Sequence, residues 1–534
     1  MGGSRVRAWC PVWCWSLLAT GTLWGCANLL QLDDYSVAPA APSDSAEFAG
    51  ECTSNSECTQ RASQLIADAG PAQVVPSVCL RPAQKCAVLP GPDCDEVTGD
   101  YRNDRAIVIG SLFATTGSQE AINRAREKSV RLAVEEINMA GGIPSGRTSA
   151  DGRPLVLVSC DATHLLQAAG HLVDDLQVPA IVGPNTSQDA LELSNKLTIA
   201  SGTIVLSPTA IASSIADLLD DNLTWQMVPS DVQRAPLMLH EIGVLETRLR
   251  AERSAKMLKL AIIYRDDALG NGTRSALNAL TFNGVGLSDP LNLGAQVHIN
   301  PYAVNAPDQS NLVAATLRFL PDIVVLVGTA EAVTQIMIPL ERDWPAAAKR
   351  PEFVVTDSSK TPELLSALTG NPALRQRIRG TGTAPDPRSV SVNEAFMVSY
   401  ATHYPDEETT LFGMGPAYDA TYAVAYGIAA LRGSPIDGRS IAASLPRLAS
   451  GGMEVELKAT KVLSAFRALT EGTPLTVIGA NAPLRWTDQG AIAGGTIELW
   501  CVTQVADKLT YTSSGMTLDL ASSEIRGVST ECEL

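Results

Sequence analysis

The chain has 534 residues, 45% of them hydrophobic and 18% charged, with 57 acidic against 40 basic side chains and a formal net charge of −17. That surplus of negative charge repels phosphates and argues against nucleic acid as a partner. The length exceeds what one hydrophobic core organises and calls for more than one lobe.

Residues 1–26 carry Arg5 and Arg7, then an apolar stretch from Ala8 to Trp24, then Gly25 and Cys26. This is the pattern of a secretion signal. The apolar run is shorter than the about 20 residues a bilayer span requires. Its end, TLWGC, resembles a bacterial lipobox, which implies that Cys26 is acylated and heads the mature chain, although Trp24 is bulky for a position that is usually small. The other reading is an ordinary secretory signal cleaved nearby. Residues 27–50, including SVAPAAPSDSAEFAG, have the composition of a flexible tether.

Of the 11 cysteines, Cys10, Cys14 and Cys26 belong to the signal and its end. The remaining Cys52, Cys58, Cys79, Cys86, Cys94, Cys160, Cys501 and Cys532 are an even set in an oxidising compartment and are predicted to form disulfides. Five of them crowd a segment, 51–103, with little periodic apolar pattern, which needs staples to hold a shape. Sequence leaves the connectivity open, with Cys94–Cys160 and Cys501–Cys532 as candidate pairs. A metal site is disfavoured: the gap in CTSNSEC is too long for zinc ligands and no histidine is near.

From about Asp104 apolar runs of strand length alternate with helical patterns, at 106–112, 154–159, 180–183, 203–207, 260–264, 323–327 and 353–356. Near-continuous apolar strands imply a sheet covered on both faces, mostly parallel, and an α/β class. After the first strand, Thr116 lies in a polar loop placed to hold a small ligand and is a candidate binding residue, and Val130, Ala133, Val134 and Ile137 mark one face of the helix that follows. Gly141 and Gly142 end it. PNTSQDA, PTAIASS, RDDALGNG and DSSKTPE follow later strands and precede helices. Any one of these is explained as a helix cap. Several at corresponding ends of parallel strands predict a polar binding cleft. No GxSxG, HExxH, Walker or GxGxxG motif is present, and His164, His171, His240, His298 and His403 lack metal spacing. No catalytic residue, metal or cofactor is therefore expected.

The pieces IGSLFATTG, AVEEINMAGGI, LVLVSCDA, AIVGPNTS, TIVLSPTA, LAIIYRDDALGNG, DIVVLVG and GPAYDATYAVAYGIAAL, in that order, resemble the type I periplasmic binding proteins, specifically the substrate-binding components of branched-chain amino acid ABC transporters. The resemblance implies a two-lobed domain over 104–534 with three crossovers, mostly parallel sheets between helices and a ligand cleft between the lobes. Lobe 1 would take about 104–228 and 383–432, and lobe 2 about 229–382 plus part of the C-terminal tail. The tail strands LRWTDQG and TIELWCV would return to lobe 2. For a bound amino acid it implies Ser187, Ser207, Thr209 and Ala210 at the carboxylate and Asp357 at the ammonium group. Ile211 stands where a contacting threonine is usual, and Leu269 and Thr329 replace aromatic walls. Cleft residues of this kind are expected to contribute little to stability.

The implied function is an extracytoplasmic solute-binding protein, lipid-anchored on the periplasmic side of a bacterial membrane, inner or outer. It would capture an amino acid or related carboxylate or amide by lobe closure and deliver it to an ABC permease. The alternative is a ligand-sensing or scaffold lipoprotein on the same fold.

Overall fold

The computed structural model describes residues 51–67, 74–81, 83–146, 152–505 and 508–529; Cys26, the tether at 27–50 and Cys532 lie outside the described residues. All seven predicted apolar runs are strands, and they divide between two sheets.

The first sheet holds β1 (Glu96–Thr98), β2 (Ile107–Phe113), β3 (Leu155–Asp161), β4 (Ala180–Val182), β5 (Ile204–Ser207) and β6 (Thr224–Gln226), in the order β6-β5-β4-β2-β3-β1. All neighbours are parallel except β1, which runs antiparallel to β3. The second holds β7 (Leu260–Arg265), β8 (Val297–Tyr302), β9 (Ile323–Val327), β10 (Glu352–Thr356), β11 (Ile378–Ala384), β12 (Thr496–Val505), β13 (Lys508–Asp519) and β14 (Glu524–Arg526). Its order is β8-β7-β9-β10-β11-β12-β13-β14, parallel as far as β11 and antiparallel beyond it. The strands at 323–327 and 352–356 are buried along their whole length, as sheets covered on both faces require.

Two long helices contribute most to the site. In α1 (Glu120–Met139) the predicted stripe of Val130, Ala133, Val134 and Ile137 is fully buried against the first sheet. In α2 (Asp231–Arg253) the corresponding stripe of Met238, Ile242, Leu245 and Leu249 packs on the second sheet. A third, α3 (Met414–Ala430), is buried on all sides and docks on α1. Glu136 of α1 is inside that contact, where it accepts hydrogen bonds from Tyr418 Oη (2.5 Å), Tyr422 Oη (2.6 Å) and Ser399 Oγ (2.7 Å). Three hydroxyl donors satisfy a carboxylate that would otherwise be costly to bury.

The chain passes between the two cores three times, at 227–230, 385–389 and 491–495. Neighbouring groups tie these passages together: Gln226 N donates to Gly490 O (2.9 Å), Gln233 Nε2 to Ile492 O (2.8 Å) and Asp386 N to Asn481 O (2.9 Å).

The tail departs from expectation in one place. TIELWCV lies in β12 of the second sheet, but LRWTDQG forms no strand and stays with the first core. Trp486 packs edge-on to Trp225 with ring centroids 5.2 Å apart and donates from Nε1 to Gln226 O, and the chain turns at once, Gly490 N bonding Thr487 O. The indole anchored on the neighbouring strand keeps this segment with the first core, where the resemblance had implied a strand of lobe 2.

The cysteine-rich segment is ordered by its staples. A helix over Asn55–Ala67 and a hairpin of Ser77–Leu80 with Lys85–Val88 are joined by Cys52–Cys79 and Cys58–Cys86. Cys94–Cys160 then fastens the segment to β3, and β1 adds to the same strand. Val78, Ala87, Leu89 and Tyr101 share an apolar cluster with Leu112, Val156 and Leu172, so the segment covers one face of the first sheet. Cys501 is also disulfide-bonded.

Because Cys94–Cys160 closes a separation of 66 residues, replacing both cysteines by serine should cost about 2–4 kcal/mol of stability. Urea unfolding of the double variant against the parent measures this. An unchanged midpoint would show that apolar packing alone holds the segment in place.

Candidate ligand-binding cleft

The carboxyl ends of the parallel strands in both sheets converge on one cleft of about 550 Å³. This is where open α/β sheets bind ligands. From the first sheet come the loops after β2, β4 and β5, with Arg126, Asn185, Ser187, Thr209 and Ile211. The second contributes Arg265 at the end of β7 and Asp267 after it, Thr329 and Glu331 after β9, and Asp357 and Lys360 after β10.

Five of the eight residues proposed from sequence line this cleft: Ser187, Thr209, Leu269, Thr329 and Asp357. The Ser187 hydroxyl oxygen accepts from Ile211 N (3.0 Å) and Ala212 N (3.1 Å), which leaves its own hydrogen to donate. Thr209 has spent its donor on Asn185 O (2.6 Å). The Thr329 hydroxyl is bound to Glu331, which also accepts from Tyr302 Oη (2.9 Å) and pairs with Arg265 (3.4 Å). Burial opposes the Glu331 charge, but the Thr329 hydrogen bonds and the Arg265 guanidinium outweigh it and hold the carboxyl below its ordinary range.

Three proposed residues are placed elsewhere. Ser207 is fully buried, donating to Pro184 O (2.6 Å) and accepting from Ala210 N (3.1 Å), a brace between two loops. Ala210 is fully buried, with its carbonyl taken by Gln226 Nε2 (3.0 Å). Thr116 is exposed and donates to Asp161 Oδ2 (2.6 Å), outside the cleft lining.

Asp357 has a partner that sequence did not suggest. Its Oδ2 is ion-paired with Arg234 Nη1 of α2, and the two side chains are 2% and 6% exposed. Arg234 Nε also donates to Pro229 O (2.8 Å). A second arginine, Arg126 of α1, lines the cleft at 6% exposure. Its Nε donates to Phe412 O (2.9 Å) and its Nη1 to Asn123 Oδ1 (2.6 Å). Burial pulls its pKa down to about 9, with the Asp357 charge acting in the opposite direction, so it remains cationic at neutral pH. Both guanidinium groups stand near the Phe412 ring, at 5.9 and 6.0 Å from its centroid. Phe412 thus supplies an aromatic wall from a segment where none was expected. Gly413, at φ +92°, must remain glycine for this seat, because an added Cβ would stand 2.3 Å from Thr209 Cγ2 and 2.7 Å from Arg126 Nε.

A signal for both arginines was present. Arg126, Val130, Ala133, Val134 and Ile137 share the offsets of Arg234, Met238, Glu241, Ile242 and Leu245, so each arginine begins a buried stripe. A cation on an apolar stripe is unusual enough to flag a buried charge site.

A sequence profile described as "Periplasmic binding protein" matches residues 106–454, and the chain belongs to that family. A Leu/Ile/Val-binding protein homolog 7 from Brucella abortus is 29% identical over 169 residues, 31% of this chain and 39% of the relative. The chain thus spans about two fifths of the curated relatives it matches. Among solved structures, the substrate binding protein LivJ of Streptococcus pneumoniae, a branched-chain amino acid transporter component in complex with isoleucine, superposes with a TM-score of 0.54 at 18% identity, covering 76% of this chain and 99% of that one. A solute binding protein of an R. palustris ABC transporter, in complex with benzoate, gives 0.53 at 14% identity, with 80% and 100% covered. These likenesses establish the two-lobed fold. Among the described residues no helix is long and apolar enough to cross a membrane.

The buried ion pair changes the expectation for Asp357. Asp357→Ala leaves Arg234 without its counter-charge in a site excluded from water, and should cost about 3–5 kcal/mol of stability. Urea unfolding measures it, and a loss below about 1 kcal/mol would mean that the pair is solvated.

Proposed function

We propose that this protein is a lipid-anchored extracytoplasmic solute-binding protein. It captures a small amino acid or related carboxylate or amide between its lobes and hands it to an ABC permease. The observation that carries this reading is the cleft itself, walled by the carboxyl-end loops of two sheets that, among the described residues, are connected by three adjacent passages of the chain. Two bodies joined in this way close as a hinge, and a ligand touching both drives the closure. The ligands named for the related structures, isoleucine and benzoate, share a carboxylate. Ser187 is suited to it, since its hydroxyl hydrogen is free to donate. Family membership and the absence of a catalytic signature in the sequence support a binding role rather than an enzymatic one.

Ligand-driven closure is tested by a thermal-shift screen of amino acids, amides and carboxylates, followed by small-angle scattering with and without each hit. A hit should raise the melting temperature and reduce the radius of gyration. Ser187→Ala should weaken the hit about tenfold. A panel that leaves melting unchanged would speak against solute binding.

The anchor rests on TLWGC, in which an apolar run ends in Gly-Cys. Cys26→Ser should release the protein from membranes. A variant that stays in the membrane fraction at unchanged size would contradict the lipoprotein reading.

A further inference from the structure

The charges in the cleft divide unevenly. Of the carboxylates on its wall, Asp267 is bonded to Arg265 (2.6 Å), Glu331 to Arg265, Thr329 and Tyr302, and Asp357 to Arg234. Glu363, on the short helix that follows the Asp357 loop, is half-buried. Among the cations, Arg265 has two carboxylates and Lys360 has Glu498 (2.9 Å). Arg126 is different. It is 6% exposed, its Nε and Nη1 are held by a carbonyl and an amide oxygen, and among the described residues no carboxylate bonds to it.

Arg126, Arg234 and Asp357 together carry a net charge of +1 in a buried corner of the cleft, where the further buried acid beside Arg234, Asp231, is spent on the N–H groups of Ser213 and Val232 and burial favours its neutral form. A buried cation without a counter-ion is costly. Arg234 also lies in the first turn of α2, where the helix dipole disfavours positive charge. Asp357 is therefore committed to a protein cation, and a ligand ammonium group placed against it would meet the charge of Arg234 as well. A ligand carboxylate would meet Arg126 and the donor hydrogen of Ser187 and would bring the net charge to zero.

We infer, on the basis of the solute-binding reading above, that the cleft takes a carboxylate whose α-carbon bears no ammonium group, with Arg126 as its counter-charge. The body of such a ligand meets Phe412, Ile211, Leu269 and Ile122, an apolar and partly aromatic wall.

Matched probes test this by titration calorimetry on the mature protein: 4-methylpentanoate against L-leucine, and 3-phenylpropanoate against L-phenylalanine. Within each pair only the ammonium group differs. The acid should bind at least about tenfold tighter than its amino acid. Arg126→Gln should weaken the acid by at least about tenfold, and Arg126→Lys should restore part of the loss. An amino acid that binds as well as its acid, or an acid whose affinity is unmoved by Arg126→Gln, overturns the inference while leaving solute binding intact. So does a solute from the thermal-shift panel that binds and carries no carboxylate. If no solute binds at all, both the inference and the solute-binding reading fall.

Discussion

The ion pair between Arg234 and Asp357 determines what the rest of the cleft can do. It joins the first turn of α2, just after the chain first enters the second lobe, to the loop that follows β10. Burial makes the pair expensive to break. It also removes Asp357 from the set of charges open to a ligand, and the character of the site passes to Arg126 on the opposite lobe. Phe412 stands near both guanidinium groups, and Gly413 gives Arg126 room against Thr209.

The scaffold holds this arrangement through two different kinds of core. Around the second sheet the core is apolar, aliphatic for the most part with Phe282, Phe353 and Trp500 set into it. In the first lobe α1 and α3 are locked by Glu136 and its three hydroxyl partners. A satisfied polar contact of this kind specifies one register between helices, where apolar packing would tolerate several. Arg126 lies on the same helix as Glu136, so the position of the cleft cation depends on that register. The stapled N-terminal segment covers the first sheet and adds a strand to its edge.

Much of this was legible in the sequence. The apolar runs gave the four central strands of the first sheet and three parallel strands of the second, because strands buried on both faces carry an uninterrupted signal. Strands such as Thr224–Gln226 and Ile378–Ala384 were missed, being short or rich in glycine and threonine. The hydroxyl-bearing loops marked the cleft, but loop chemistry did not reveal which hydroxyls were already spent. Ser207 and Thr209 look alike in SPTA, and only one of them lines the cleft. Ion pairing across 123 residues, as between Arg234 and Asp357, has no local signature. Phe412 escaped because it precedes its helix rather than lying within a periodic element.

The cleft presents a cation in Arg126, with its buried Asp357 already neutralised by Arg234. Native mass spectrometry of the protein purified from its own host, followed by release and identification of the bound solute, tests this most directly. The expected solute is a carboxylate whose α-carbon bears no ammonium group. Recovery of an α-amino acid would contradict it.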